Sequence, residues 1–158
     1  MTDKPIEDQD GSKLLSLYLY YAEQTEKLIE RRNANSRYFL TINTAFVAIL
    51  GLALKHAPPG QSVWLLALPV AGIVVCVLWA WLVRSYAVVT KARFKVINEM
   101  EARLPASPYA DEWLSIKEDP AFKGYTSISV LEGWVPLVFA VIYAVFFGAT
   151  VFAGSLTG

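Results

Sequence analysis

The chain has 158 residues, 55% of them hydrophobic, and its fourteen Lys and Arg balance fourteen Asp and Glu. Zero formal net charge removes the basic footprint that a nucleic-acid partner needs. A single cysteine (Cys76) excludes an intrachain disulfide. A single histidine (His56) excludes a His-based metal cluster and a Ser-His-Asp arrangement among the charged segments.

The apolar residues are gathered into three runs almost free of charge: Tyr38–Leu54, Ser62–Val83 and Gly133–Ala153. A soluble domain would spread them at a period of 3.6 or 2 instead. Runs of about 20 apolar residues cross a hydrocarbon core of about 30 Å as helices. These runs have 17, 22 and 21 residues, so each reads as a transmembrane helix, the first at the short end of the range. Thirteen of the fourteen Lys and Arg precede the first run or lie between the second and third, and only Lys55 falls between the first two. Basic residues stay on the cytoplasmic side. The N-terminus and the 84–129 segment are therefore expected inside, and the 55–61 turn and C-terminal tail outside. The first 37 residues lack the apolar core and cleavage site of a signal peptide, so the first span reads as an uncleaved insertion signal.

In chain order, residues 1–11 are polar and expected to fray. Asp10 or Ser12 then caps a helix. Leu14, Leu15, Tyr18, Tyr21, Ala22, Leu28 and Ile29 follow the spacing of one helical face, and Glu23–Lys27 is a favourable i,i+4 pair. No Gly or Pro interrupts 12–50, so a cytoplasmic helix and the first span read as one helix over 12–56. Pro58, Pro59 and Gly60 make a turn too short for anything but an antiparallel hairpin. The second helix is expected over 62–104, with Val89, Ala92, Val96, Met100 and Leu104 on one face of its charged end and Pro105 stopping it. The two charged extensions are expected to pack as a stalk. A loop over 105–129 holds a short helix near Tyr109–Lys117. Ser129 and Glu132 have the S-x-x-E spacing of a capping box, and the last span follows over 130–153. One domain is expected: an all-α membrane protein with three transmembrane helices, the first two extended into a cytoplasmic stalk.

No enzyme is expected, and no catalytic residue, metal or cofactor site. The adjacent carboxylates Asp111-Glu112 and Glu118-Asp119 point apart on a helix and read as solvated surface. The spans hold no Asp, Glu, Lys or Arg, so a proton relay or voltage sensor is not indicated. Cys76 reads as a small membrane-buried packing residue. Asn43, with Thr41 and Thr44, is the most polar feature at membrane depth. It either hydrogen-bonds a neighbouring helix or lines a pore. Ala140, Ala144 and Gly148 place small residues at every fourth position of the third span, a close-approach stripe for another helix. Trp64, Trp79, Trp81 and Trp134 fit an aromatic belt at the two interfaces.

The segments ERRNANSRYFLTINTAFVAILG, LVRSYAVVTKARFKVINEMEARLPASPYADEW and ISVLEGWVPLVF resemble a family of small bacterial integral membrane proteins called RipR-like. They cover well over half of the chain. The residues that carry the resemblance are Arg31, Arg32, Asn35, Asn43, Ser85, Tyr86, Lys95, Glu99, Glu101, Leu104, Pro105, Tyr109, Glu112, Trp113, Glu132 and Pro136. Val88-Val89 and Ala92-Arg93 depart from the family's more polar and basic pattern. The resemblance implies a bacterial membrane protein and carries no catalytic assignment; the inner membrane is the expected location.

Arg31, Arg32, Glu99, Glu101 and Glu112 are expected to form cross-helix ion pairs in the stalk, with charge reversal at Arg32 rescued at Glu99 or Glu101. The chain is expected to sit in the lipid bilayer as a homo-oligomer. Two functions follow: a small ion channel or membrane-permeabilising effector, and a non-conducting scaffold or sensor whose stalk binds a cytosolic protein partner.

Overall fold

The computed structural model describes residues 6–56, 62–118 and 128–156. Four helices follow one another: α1 (Ile6–His56), α2 (Ser62–Glu101), α3 (Pro108–Glu118) and α4 (Ile128–Leu156). No strand occurs among the described residues. Three of the helices are long and apolar enough to cross a membrane, with windows of mean hydropathy 1.6, 2.5 and 2.3 in α1, α2 and α4. The 51 residues of α1 and 40 of α2 exceed by far the ~20 that a bilayer requires. The continuous charged extensions expected from the sequence are therefore present.

The helix ends differ in detail. α1 begins at Ile6 and runs through Gly11, so the cap expected at Asp10 or Ser12 is not the start. Asp10 instead lies 3.9 Å from Lys13 within the first turns. α2 ends at Glu101, short of Leu104. Amides of Arg103 and Leu104 donate to the Met100 and Glu101 carbonyls in tight closing turns before Pro105. The turn over 57–61, the Asp119-Pro120 and Gly124 turns and the Ser129 side chain lie outside the described residues.

The chain packs as two compact units, and α1 and α2 contribute to both. The first comprises Met1–Arg31 and Tyr86–Thr126, the second Arg32–Ser85 and Ser127–Gly158. In the first, Tyr18 and Thr25 of α1 and Ile97 and Glu101 of α2 are buried. Rings of Tyr18 and Phe94 meet Tyr109 edge-on, with centroids 6.4 and 5.8 Å away. The expected Glu23–Lys27 pair forms on its surface at 2.6 Å.

The second unit holds the apolar windows. Its core is Leu50, Cys76 and Tyr143, with Phe46, Val47, Leu68, Ile73, Phe139 and Ala140 packed around them. Thr41 and Thr44 donate to the carbonyls of Arg37 and Leu40, four residues back. This bond satisfies a hydroxyl inside its own helix, which a medium without water requires. Pro69 and Pro136 are fully buried within α2 and α4.

Candidate functional site

The second unit is organised around Asn43. Its side chain is fully buried, and its Nδ2 donates to the Phe39 carbonyl at 2.8 Å. Its Oδ1 accepts from Cys76 Sγ of α2 at 3.3 Å and from the Tyr143 hydroxyl of α4 at 3.1 Å. The same hydroxyl reaches the Asn43 carbonyl at 3.1 Å. One amide side chain thus ties three helices together. At membrane depth each of these groups would otherwise be unsatisfied in hydrocarbon. Gly72 makes the arrangement possible. A Cβ built on it would stand 2.6 Å from Tyr143 ring carbons, so the ring lies directly on the α2 backbone.

Within this chain Asn43 takes the first of its two expected roles, an interior residue bonded to the neighbouring helices. Thr41 and Thr44 do lie on the exposed surface. The small-residue stripe is divided. Ala140 packs on the core, while Ala144 and Gly148 are exposed, and Gly148 has open space where a Cβ would stand. Trp79 departs from the aromatic belt. It is buried, stacked on Phe39 at 5.8 Å and tilted against Phe139 at 6.3 Å. Trp81 and Trp134 are exposed, as a belt requires. The Trp64 side chain lies outside the described residues.

The expected stalk ion pairs are rearranged. Arg32 is buried and pairs with Glu132 at the start of α4, Nε to Oε2 at 3.3 Å, within the second unit. Glu99 lies on the exposed surface 4.0 Å from Lys95. Glu101 is occupied elsewhere, and Arg31 and Glu112 are exposed. The physical reason is that Glu132, read as a helix cap, brings its carboxylate to the guanidinium. Arg32→Gln should cost about 1–3 kcal/mol, less than the ~3–5 of a fully buried pair because Glu132 keeps some solvent. In a double-mutant cycle, reversal at Arg32 is expected to be rescued by Glu132→Arg and not by Glu101→Arg. Unfolding of the purified protein in micelles measures both.

In the first unit, Glu101 caps α3. Its Oε1 accepts from the Tyr109 amide at 3.0 Å, and its Oε2 from the Ala110 amide at 3.1 Å. Pro108 opens the helix, where its missing N–H costs nothing. The carboxylate also meets the positive end of the α3 dipole. The Tyr18 hydroxyl completes the group, donating to Oε1 at 3.0 Å. Burial and the Glu101 carboxylate push the Tyr18 phenol from 10.0 up to about 12. A phenol raised in the folded state contributes stability that is complete below pH 10 and lost as pH rises through 12. In an ultraviolet titration the late-ionising phenolate signal should lose amplitude in Tyr18→Phe. A loss confined to the part of the titration near pH 10 would refute the assignment.

Tyr143, Gly72 and Trp79 were not singled out as site residues by the sequence. A signal existed for Tyr143. A phenol in mid-span must find a partner, and Asn43 needed one too.

No curated protein and no solved structure matches the chain. A family model described as the octameric membrane protein family (8xMP) matches residues 15–152. The match supports the membrane-family part of the resemblance and does not carry the RipR-like label. Since it spans nearly the whole sequence, with its three apolar helices included, the chain belongs to the octameric membrane protein family.

Proposed function

We propose that eight copies form a ring in the bacterial inner membrane, N-terminus inside and C-terminus outside, and that the ring is a non-conducting, non-enzymatic scaffold. The family's description supports the number. The observation that carries self-association lies in the first unit. Leu15, Leu17, Leu19, Tyr20, Val88 and Val89 are exposed there, outside the apolar runs. At 100° per residue, Leu15 and Leu19 flank the buried Tyr18 on one side and Leu17 on the other. Two unlike flanks suit the head-to-tail contacts that close rings. Trp113 and Leu114, exposed on α3, are left as a face for a cytosolic partner.

The scaffold reading rests on Asn43. The polar side chain that would best wet an axis is sealed inside each protomer. A channel is favoured by one observation, the exposed pair Thr41 and Thr44 on α1. Ion flux into liposomes carrying the purified oligomer tests the choice. No flux above protein-free liposomes, across ions and voltages, is expected. Conductance that falls in Thr41→Val/Thr44→Val would replace the scaffold with a channel. Native mass spectrometry of the detergent complex should give eight copies, and a monomer would overturn both readings.

A further inference from the structure

A cavity of about 370 Å³ opens on the second unit, lined by Asn33, Ser36, Arg37 and Leu40 of α1, Trp79 of α2, and Glu132 and Val135 of α4. The α1 residues recur at three- and four-residue spacing, so one face of that helix forms a wall. Here the charged part of α1 gives way to its apolar run, because Arg37 precedes Tyr38. Glu132 likewise precedes the apolar run of α4. The cavity therefore belongs to headgroup depth.

Its polar lining is mostly donors with Glu132 as the acid, whose Oε2 is also buried without a hydrogen-bond partner among the described residues and faces Arg32 as an ion pair at 3.3 Å. The indole N–H of Trp79 is buried without a hydrogen-bond partner among the described residues, although the residue is only 3% exposed. Buried N–H groups left without a partner are rare in folded proteins, so this one points to something supplied from outside. Ser36 and Asn33 add a hydroxyl and an amide. Arg37 uses its Nε weakly on the Asn33 carbonyl at 3.4 Å and has no carboxylate within ion-pair distance among the described residues. Glu132 is the one acid lining the cavity, and Arg32 pairs with it. The lining and its pair thus carry two guanidiniums and one carboxylate, a surplus of one positive charge. Leu40 and Val135 supply the apolar side.

We propose that this cavity holds the phosphodiester of an anionic phospholipid. Arg37 and the Trp79 indole N–H bind the phosphate oxygens, and an acyl chain lies along Leu40 and Val135. One surplus positive charge matches one phosphodiester. A zwitterionic lipid would bring an ammonium group to a cavity whose only carboxylate is already paired.

The full-length protein, labelled with 15N in its tryptophan indoles, tests this in phosphatidylcholine bicelles. The Trp79 indole resonance is the one lost in Trp79→Phe, a change that keeps an aromatic ring on Phe39. Titrating phosphatidylglycerol into the bicelles should move that resonance downfield with saturation. In Arg37→Gln the apparent affinity should fall about fivefold, the equivalent of ~1 kcal/mol for one basic residue near an anionic surface. No movement with phosphatidylglycerol overturns the proposal. So does equal movement with inorganic phosphate alone, which would make the cavity a soluble-anion site. Movement that follows protein dilution instead of lipid also overturns it, by making a second copy the occupant. Circular dichroism of both variants confirms that they are folded.

Discussion

Gly72→Ala is expected to cost about 3 kcal/mol and to loosen the three-helix unit. The added methyl would stand 2.6–2.7 Å from three carbons of the Tyr143 ring, closer than van der Waals contact allows. Most tyrosine rings would swing aside. This one is fully buried, and its hydroxyl is held by two oxygens of Asn43. Moving the ring breaks that bond, and keeping it displaces α2 from α4. Overpacking of well-filled interiors costs about 1–3 kcal/mol, and the upper end applies where neither neighbour can yield. Gly72→Leu should give no folded protein. Tyr143→Leu removes the obstacle, so Gly72→Ala/Tyr143→Leu should lose less stability than the two changes summed. Reversible unfolding in micelles measures the cycle, and a Gly72→Ala protein as stable as the parent would refute the ring-on-backbone contact. Asn43→Leu should be milder, because the Tyr143 hydroxyl keeps the backbone carbonyl of residue 43.

Glu101→Ala is expected to release α3. The substitution removes one carboxylate and strands three donors: the Tyr18 hydroxyl and the amides of Tyr109 and Ala110. Hydrogen bonds to a charged group contribute about 1.5–3 kcal/mol each, and bonds sharing one acceptor do not add. A total near 3 kcal/mol follows. Glu101→Gln keeps one acceptor oxygen but turns an amide NH2 toward a backbone N–H, so about half of the loss should remain. Hydrogen exchange reads the result directly. Protection at Tyr109 and Ala110 should drop steeply in Glu101→Ala, while amides around Asn43 keep theirs. Undiminished protection at Tyr109 would show that α3 is held by its aromatic contacts alone.

The helices were legible because their signals are local. Blocks of apolar residues, the lack of Pro and Gly over 12–50, and Pro105 after the second helix suffice to place α2 and α4 within three residues at each end and α1 within six. The interior was not legible, because its partners are remote in sequence. Asn43 bonds residues 33 and 100 positions away, and nothing in spacing distinguishes that from an axis facing water. From the sequence, Glu99 and Glu101 are the natural partners of Arg32, because those acids lie on the adjoining long helix. Glu132 has the spacing of a local helix cap, which hides its remote partner. Glu101 does have a capping role, yet toward α3, where Pro108 at the helix start was the available sign. Trp79 looked like its neighbour Trp81, since both sit at the end of one span. They differ by two residues, which turns them about 200° apart on a helix, and only one turns inward.

The joint seat of Tyr143 has a consequence for biogenesis. Translation delivers α1 and α2 well before α4, and helices enter the bilayer singly before they associate. Until the last span arrives, Asn43 Oδ1 has only the weak thiol donor of Cys76, and the notch at Gly72 stands empty. The early hairpin is thus a receptacle with one missing piece. Arrival of α4 fills the notch, completes the amide's bonding and brings Glu132 to Arg32 in a single docking event. A nascent chain stalled before residue 143 would leave that polar receptacle open, recognisable to membrane quality control as an orphan.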